Sequence, residues 1–229
     1  MRSREQTIPA PTSVYAALKG LRSLAEAGSV RVLAALALIA LALIVWEARR
    51  ELSLDHRLSA VASEIAGRPV NVDCPGFLRG LVDISGHGGS VMFDADGKPS
   101  SKTRLETNVC HDLSAYGTTR KRADFACVFG ATYCSNKVER AVYAALVLSH
   151  ESQHLRGVRD ESTAQCYAIQ TLALVAERLG SPTAEAAAVA AHFLVVQQPN
   201  MPTDYVLSGD CANGGSLDLS PQSTGWPAP

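Results

Sequence analysis

His150, Glu151, Ser152, Gln153 and His154 form an H-E-x-x-H run late in a segment that carries every sign of a helix, Asn136 to about Arg156. Positions four apart on a helix lie one above the other on the same face. Two imidazoles at that spacing can grip one divalent metal ion from one side. Glu151, next along the chain, is turned about 100° away. That offset suits a carboxylate that works beside a metal without ligating it. A helix obliged to present this face to a cleft, with apolar Leu146-Val147-Leu148 just before it, has to sit inside a folded body. Burying two histidines and a glutamate without a metal or partners is costly.

The chain has 229 residues and a formal net charge of −1, so nothing in its charge balance points to nucleic acid. Apolar residues make up 47 %, enough for one sizeable core. Val32 to Trp46 is an unbroken apolar run of fifteen residues. Val30 and Arg31 extend it, and Trp46 is of the type that anchors at an interface. A core helix rarely lacks a polar face, and a cleaved signal peptide has a short leading region and a small-x-small site. The expectation is therefore a retained transmembrane signal anchor over 30–48. Arg2, Arg4, Lys19, Arg22 and Arg31 precede the run, against Arg49, Arg50 and Arg57 after it, which favours the N-terminus inside. All six cysteines (Cys74, Cys110, Cys127, Cys134, Cys166, Cys211) follow the run and none forms C-x-x-C. That pattern reads as disulfides in an oxidising compartment, placing the C-terminal domain outside the cytoplasm of a single-pass cell-membrane protein. The pairing cannot be read from spacing.

The organisation expected is a polar, loosely structured cytoplasmic tail over 1–29, the anchor over 30–48, and a juxtamembrane helix over 49–69. A folded domain over 70–207 and an irregular, Pro- and Gly-rich tail over 208–229 follow. Leu52, Leu54, Leu58, Val61, Ala62 and Ile65 recur at helical spacing and Gly67-Arg68-Pro69 closes them. Val91-Met92-Phe93 leads into the turn Asp94-Ala95-Asp96-Gly97, and Leu105, Thr107 and Val109 alternate with polar residues, the signature of a small antiparallel hairpin. Asn136 with Glu139 resembles a capping box for the H-E-x-x-H helix, which Gly157 breaks. A second helix is expected from Asp160 to Gly180 and a third from Ser181-Pro182 to near Gln198. The fold class is α+β, mainly helical.

A catalytic metal of this kind needs a third ligand, and Asp160 and Glu161 stand side by side after the break. The run of nineteen residues HESQHLRGVRDESTAQCYA resembles two groups of zinc metallopeptidase. With His150, Glu151, His154, Gly157 and Asp160 it is similar to the metzincin pattern in its aspartate form; Met201 is a weak echo of the methionine turn. With Glu161, Ala164, Tyr167 and Ala168 it is similar to the gluzincin pattern, although the linker between His154 and Glu161 is shorter than is usual there. Asp160 has an ordinary role as a helix N-cap, so Glu161 is preferred as third ligand. The resemblance implies a zincin-like active-site helix and ligand helix behind the anchor, and Zn²⁺ held by His150, His154 and Glu161. It further implies Glu151 as general base and a protein or peptide as substrate. Tyr116, Tyr143, Tyr167, Tyr205, His111 and Arg159 are all open as oxyanion donors, and the strand around Leu105 to Val109 is a candidate edge for an extended peptide. The rival class is an inactive, disulfide-stabilised envelope or binding protein with a structural or vestigial metal site. His56, His87 and His192 carry ordinary readings as surface, loop and packed side chains.

Overall fold

The computed structural model describes residues 12–75, 88–119, 122–223 and 225–227. His87 and residues 1–11 of the expected tail lie outside the described residues. The chain divides into two compact units, Met1–Arg49 and Arg50–Pro229. Helix α1 spans Thr12–Ala66, so it begins inside the stretch read as a loose tail.

In the first unit the apolar side chains from Val32 to Val45 are exposed. Among the described residues no helix is long and apolar enough to cross a membrane. This corrects the single-pass anchor over 30–48 and the single-pass cell-membrane placement that rested on it. The physical reason is length. Fifteen apolar residues rise about 22 Å as a helix, short of the ~30 Å of hydrocarbon they would have to cross.

The second unit is mainly helical around a small sheet. Leu58, Val61, Ala62 and Ile65 of α1 are buried, the face that their spacing predicts. Gly67, at φ +66°, ends the helix. Three strands follow: β1 (Asn71–Asp73), β2 (Gly89–Phe93) and β3 (Pro99–Leu105), in the order β1-β3-β2. β2 and β3 pair antiparallel around a turn closed by the Gly97 N–H to the Asp94 carbonyl at 3.0 Å. β1 pairs parallel with β3, so the sheet is mixed, which corrects the purely antiparallel element expected. The second expected strand is also misplaced, because Thr107–Thr119 is helix α2. The alternation of Leu105, Thr107 and Val109 gives way to Val109, Cys110, Leu113 and Tyr116, all buried at helical spacing.

A short helix α3 (Arg122–Phe125) and a 3₁₀ turn lead to α4 (Asn136–Arg156), α5 (Glu161–Arg178) and α6 (Thr183–His192). α4 carries the H-E-x-x-H run and is the central element, packed against α2, α5, β2 and β3. It is buried on almost every side, from Val138 to Leu155. Its polar side chains therefore need internal partners. Ser149 Oγ donates to the Ala168 carbonyl of α5 at 2.9 Å, and Gln153 Nε2 donates to Thr171 Oγ1 at 3.0 Å. Ala164 and Ala168, both fully buried, keep α5 close enough for this.

The expected capping box is absent. Ser135 is the N-cap, without a side-chain bond. Glu139 is instead buried, accepting from the Cys134 N–H at 2.6 Å and meeting His192 Nε2 at 3.0 Å. At the other end Gly157, at φ +114°, turns the chain in a left-handed conformation. The Val158 N–H then reaches the Gln153 carbonyl at 3.0 Å, capping the helix. Gly157→Ala is expected to cost about 1–2 kcal/mol, read from urea unfolding, because an L side chain strains at that φ.

The cysteines pair as Cys74–Cys110, Cys127–Cys134 and Cys166–Cys211, leaving none free. Each such bond is typically worth about 2–4 kcal/mol. The last one fastens the C-terminal segment to α5. Gln170 reinforces it, donating to the Leu217 carbonyl at 2.8 Å and accepting from the Leu219 N–H at 2.7 Å.

Candidate metal centre

The Gly157 turn brings the first residue of α5 back over the last two turns of α4. Glu161 Oε2 lies 3.0 Å from His150 Nε2 and 3.4 Å from His154 Nε2. The two Nε2 atoms are 2.9 Å apart. Both histidines are buried, whereas Glu161 is half-exposed at the mouth. Asp160 points elsewhere: its Oδ1 accepts from the Thr163 N–H at 2.8 Å and from the Ser162 and Thr163 hydroxyls. It is the N-cap of α5, and those bonds hold its carboxyl below the usual range.

The outer nitrogens settle what the inner ones present. His154 Nδ1 is 2.7 Å from the Val158 carbonyl, which can only accept, so Nδ1 carries the proton and Nε2 a lone pair. His150 is fixed by a longer chain. Gln198 Nε2 donates to the Tyr205 carbonyl at 2.8 Å, leaving Gln198 Oε1 to accept from Gln165 Nε2 at 2.7 Å. Gln165 Oε1 therefore faces His150 Nδ1, 3.2 Å away, as an acceptor. Two nitrogen lone pairs and a carboxylate oxygen converge on one point. That is a donor set for a cation, with the outer partners that orient metal-binding imidazoles. Burial, then the neighbouring His150, lowers the His154 pKa, and the His150 contact lowers that of Glu161.

Glu151 is turned away from the triangle and buried against β2 and β3. Thr103 Oγ1 is 3.4 Å from Glu151 Oε2, a weak contact, because that hydroxyl donates more closely to the Ser90 carbonyl at 2.9 Å. A Cβ on Gly89 would fall 2.6 Å from Glu151 Cγ, so the strand passes here only as glycine. Burial pushes the Glu151 carboxyl up to about 7; the neighbouring His150 opposes this and Glu161 adds to it.

Two adjoining hollows meet at these residues. One of about 360 Å³ is lined by β2, His150, Glu151, His154, Arg159, Glu161 and Tyr205. The other, about 320 Å³, lies between Tyr143, Val147, Gln165 and the segment Met201–Tyr205. β2, the outer strand on this side, borders the first hollow; β3, which holds Leu105 of the expected peptide edge, is central and paired on both sides. A larger groove of about 490 Å³ along α1 and β1 holds none of the triad. Of the oxyanion candidates, Tyr143, Tyr205 and Arg159 line the hollows. Tyr116 is buried against Phe125, and His111 is exposed beside Asp112. No family model, curated protein or solved structure matches this chain.

Among the described residues a second group, Cys134, Glu139 and His192, also has metal-ligand types within reach of one another. Its sulfur is bonded to Cys127 and its carboxylate is engaged by Cys134, His192 and Gln197. It latches the start of α4 to the end of α6. Gln165 and Gln198 were not singled out from sequence. Gln165 had a signal, lying four residues after Glu161 and so on the same face of α5; Gln198 had none.

Proposed function

We propose that this protein is a zinc-dependent peptidase in which His150, His154 and Glu161 hold the metal and Glu151 is the general base. The observation that carries the reading is the shape of the triad. Tetrahedral zinc with bonds of about 2.0–2.1 Å separates its ligand atoms by roughly 3.3 Å. The three separations here are 2.9, 3.0 and 3.4 Å. Three protein ligands and an open cleft match the arrangement of catalytic sites rather than closed structural ones.

Zinc at that point supplies a Lewis acid that acidifies a water molecule and polarises a substrate carbonyl. The chain supplies the rest. Glu151, buried beside the triad, would accept the water's proton and return it to the leaving amine. The Tyr205 ring lies 5.4 Å from that of His150, and burial raises its pKa, so its hydroxyl stays a proton donor for a developing oxyanion. The outer edge of β2, which pairs with no further strand among the described residues, would give an extended peptide a partner for its backbone. A zinc kept only for structure needs no carboxylate facing the cleft, which favours the enzyme over a binding protein.

The test is metal analysis of the purified full-length chain together with cleavage of a peptide library. One zinc per chain with metal-dependent cleavage supports the reading. One zinc without cleavage defeats the peptidase, and no zinc defeats both parts. The amide relay makes its own prediction. Gln165→Leu leaves His150 Nδ1 without its acceptor and is expected to weaken zinc binding about 10- to 100-fold. Chelator competition reads this, and an unchanged affinity would mean that the relay does not orient the ligand.

A further inference from the structure

Arg159 lies in the linker between α4 and α5, in the wall of the hollow that contains His150, His154 and Glu161. Its guanidinium carbon is 5.1 Å from the centroid of the Phe93 ring. That ring in turn meets His154 edge-on, with centroids 6.3 Å apart. On another side the guanidinium rests on Gly97, where a Cβ would fall 2.8 Å from Nη1. An aromatic face and a bare glycine hold the group in place, yet neither accepts its N–H bonds as a carboxylate would. Asp94 stands in the same turn, but its Oδ1 accepts from the Lys98 N–H at 2.8 Å. Among the described residues no carboxylate pairs with Arg159. By contrast, Arg178 is paired with Glu64, Arg140 with Asp112, and Arg68 is spent on backbone carbonyls.

A guanidinium held in a cleft wall presents a fork of donors that matches a carboxylate in two-pronged fashion. We infer that Arg159 is a specificity residue, which selects peptides bearing a carboxylate on the Phe93 side of the metal centre. This rests on the zinc-peptidase reading and names its substrate class. The carboxylate comes either from an Asp or Glu side chain or from the free C-terminus of the peptide. Arg159 is exposed to solvent, which screens such a pair, so it discriminates a carboxylate from its amide by about threefold to tenfold. Among the described residues no ion pair joins Arg159 to the triad or to Glu151, so its replacement should leave the zinc content unchanged.

The experiment uses the zinc-loaded full-length protein and four short peptide hydroxamates. Three are C-terminally amidated and carry Glu, Gln or Lys at one position; the fourth carries Gln and ends in a free carboxylate. Calorimetry should show either the Glu peptide or the free-carboxylate peptide binding about threefold to tenfold tighter than the Gln amide. Whichever of the two is favoured identifies the source of the carboxylate. Arg159→Gln should abolish the preference, and Arg159→Glu should transfer it to the Lys peptide. Equal binding of all four to the unmodified protein, or a preference surviving in Arg159→Gln, overturns the inference. Matched peptides without the hydroxamate are assayed for cleavage alongside. Selective binding without cleavage sinks the peptidase reading and leaves the carboxylate site standing. Cleavage without selectivity does the reverse, and a protein that binds no zinc loses both.

Discussion

A Glu151→Gln protein is expected to keep its full zinc content and to hydrolyse peptides about 10²- to 10⁴-fold more slowly. Glutamine has nearly the same volume, so the packing against Gly89 is retained while the proton acceptor is lost. Zinc should be unaffected because Glu151 is not among the three groups that converge, and its carboxylate accepts from Thr103. Metal content by emission spectroscopy and kcat/KM on a fluorogenic peptide check the two halves separately. Loss of zinc would make Glu151 a ligand. Undiminished hydrolysis would place the base elsewhere.

The acidic pair after the Gly157 turn gives the second large contrast. Glu161→Ala removes a donor 3.0 Å from His150 Nε2 and is expected to lower zinc affinity well beyond the roughly 100-fold of an outer-partner change. Asp160→Ala should leave zinc affinity where it is and cost about 1 kcal/mol of stability as a lost N-cap. Chelator competition and urea unfolding on both variants separate the roles. Equal zinc loss from the two would remove the assignment of Glu161.

Much of this part of the chain could be read in advance because its signals are local. The helix over Asn136–Arg156, its glycine stop and the return of an acid within one short linker follow from spacing and from the one residue that tolerates φ +114°. The gathering of His150, His154 and Glu161 is a consequence of those three facts. What escaped depends on tertiary neighbours. Glu139 looked like half of a capping box, but its carboxylate is used by Cys134, His192 and Gln197, the last two more than fifty residues away in sequence. Thr107 and Val109 satisfied a two-residue period over too short a window to exclude a helix, and the disulfide to Cys74 lies on that helix. The run Val32–Trp46 is unmistakably apolar, but fifteen residues fall short of the ~20 that a span needs. Gln198 carries no local mark of a role, since its importance comes from the Tyr205 carbonyl that orients its amide.

The bond between Cys166 and Cys211 closes a covalent ring around residues 166–211, and the segment Met201–Tyr205 that walls the cleft lies inside it. A peptidase whose own backbone runs past its scissile centre is exposed to self-nicking at that wall. Inside a closed loop one such cut opens the ring without separating the halves. Gln170 would still grip the downstream strap through Leu217 and Leu219, and the carboxyl-terminal piece would stay docked on the helix that carries Glu161. On the peptidase reading, the cross-link would keep a nicked molecule in one piece.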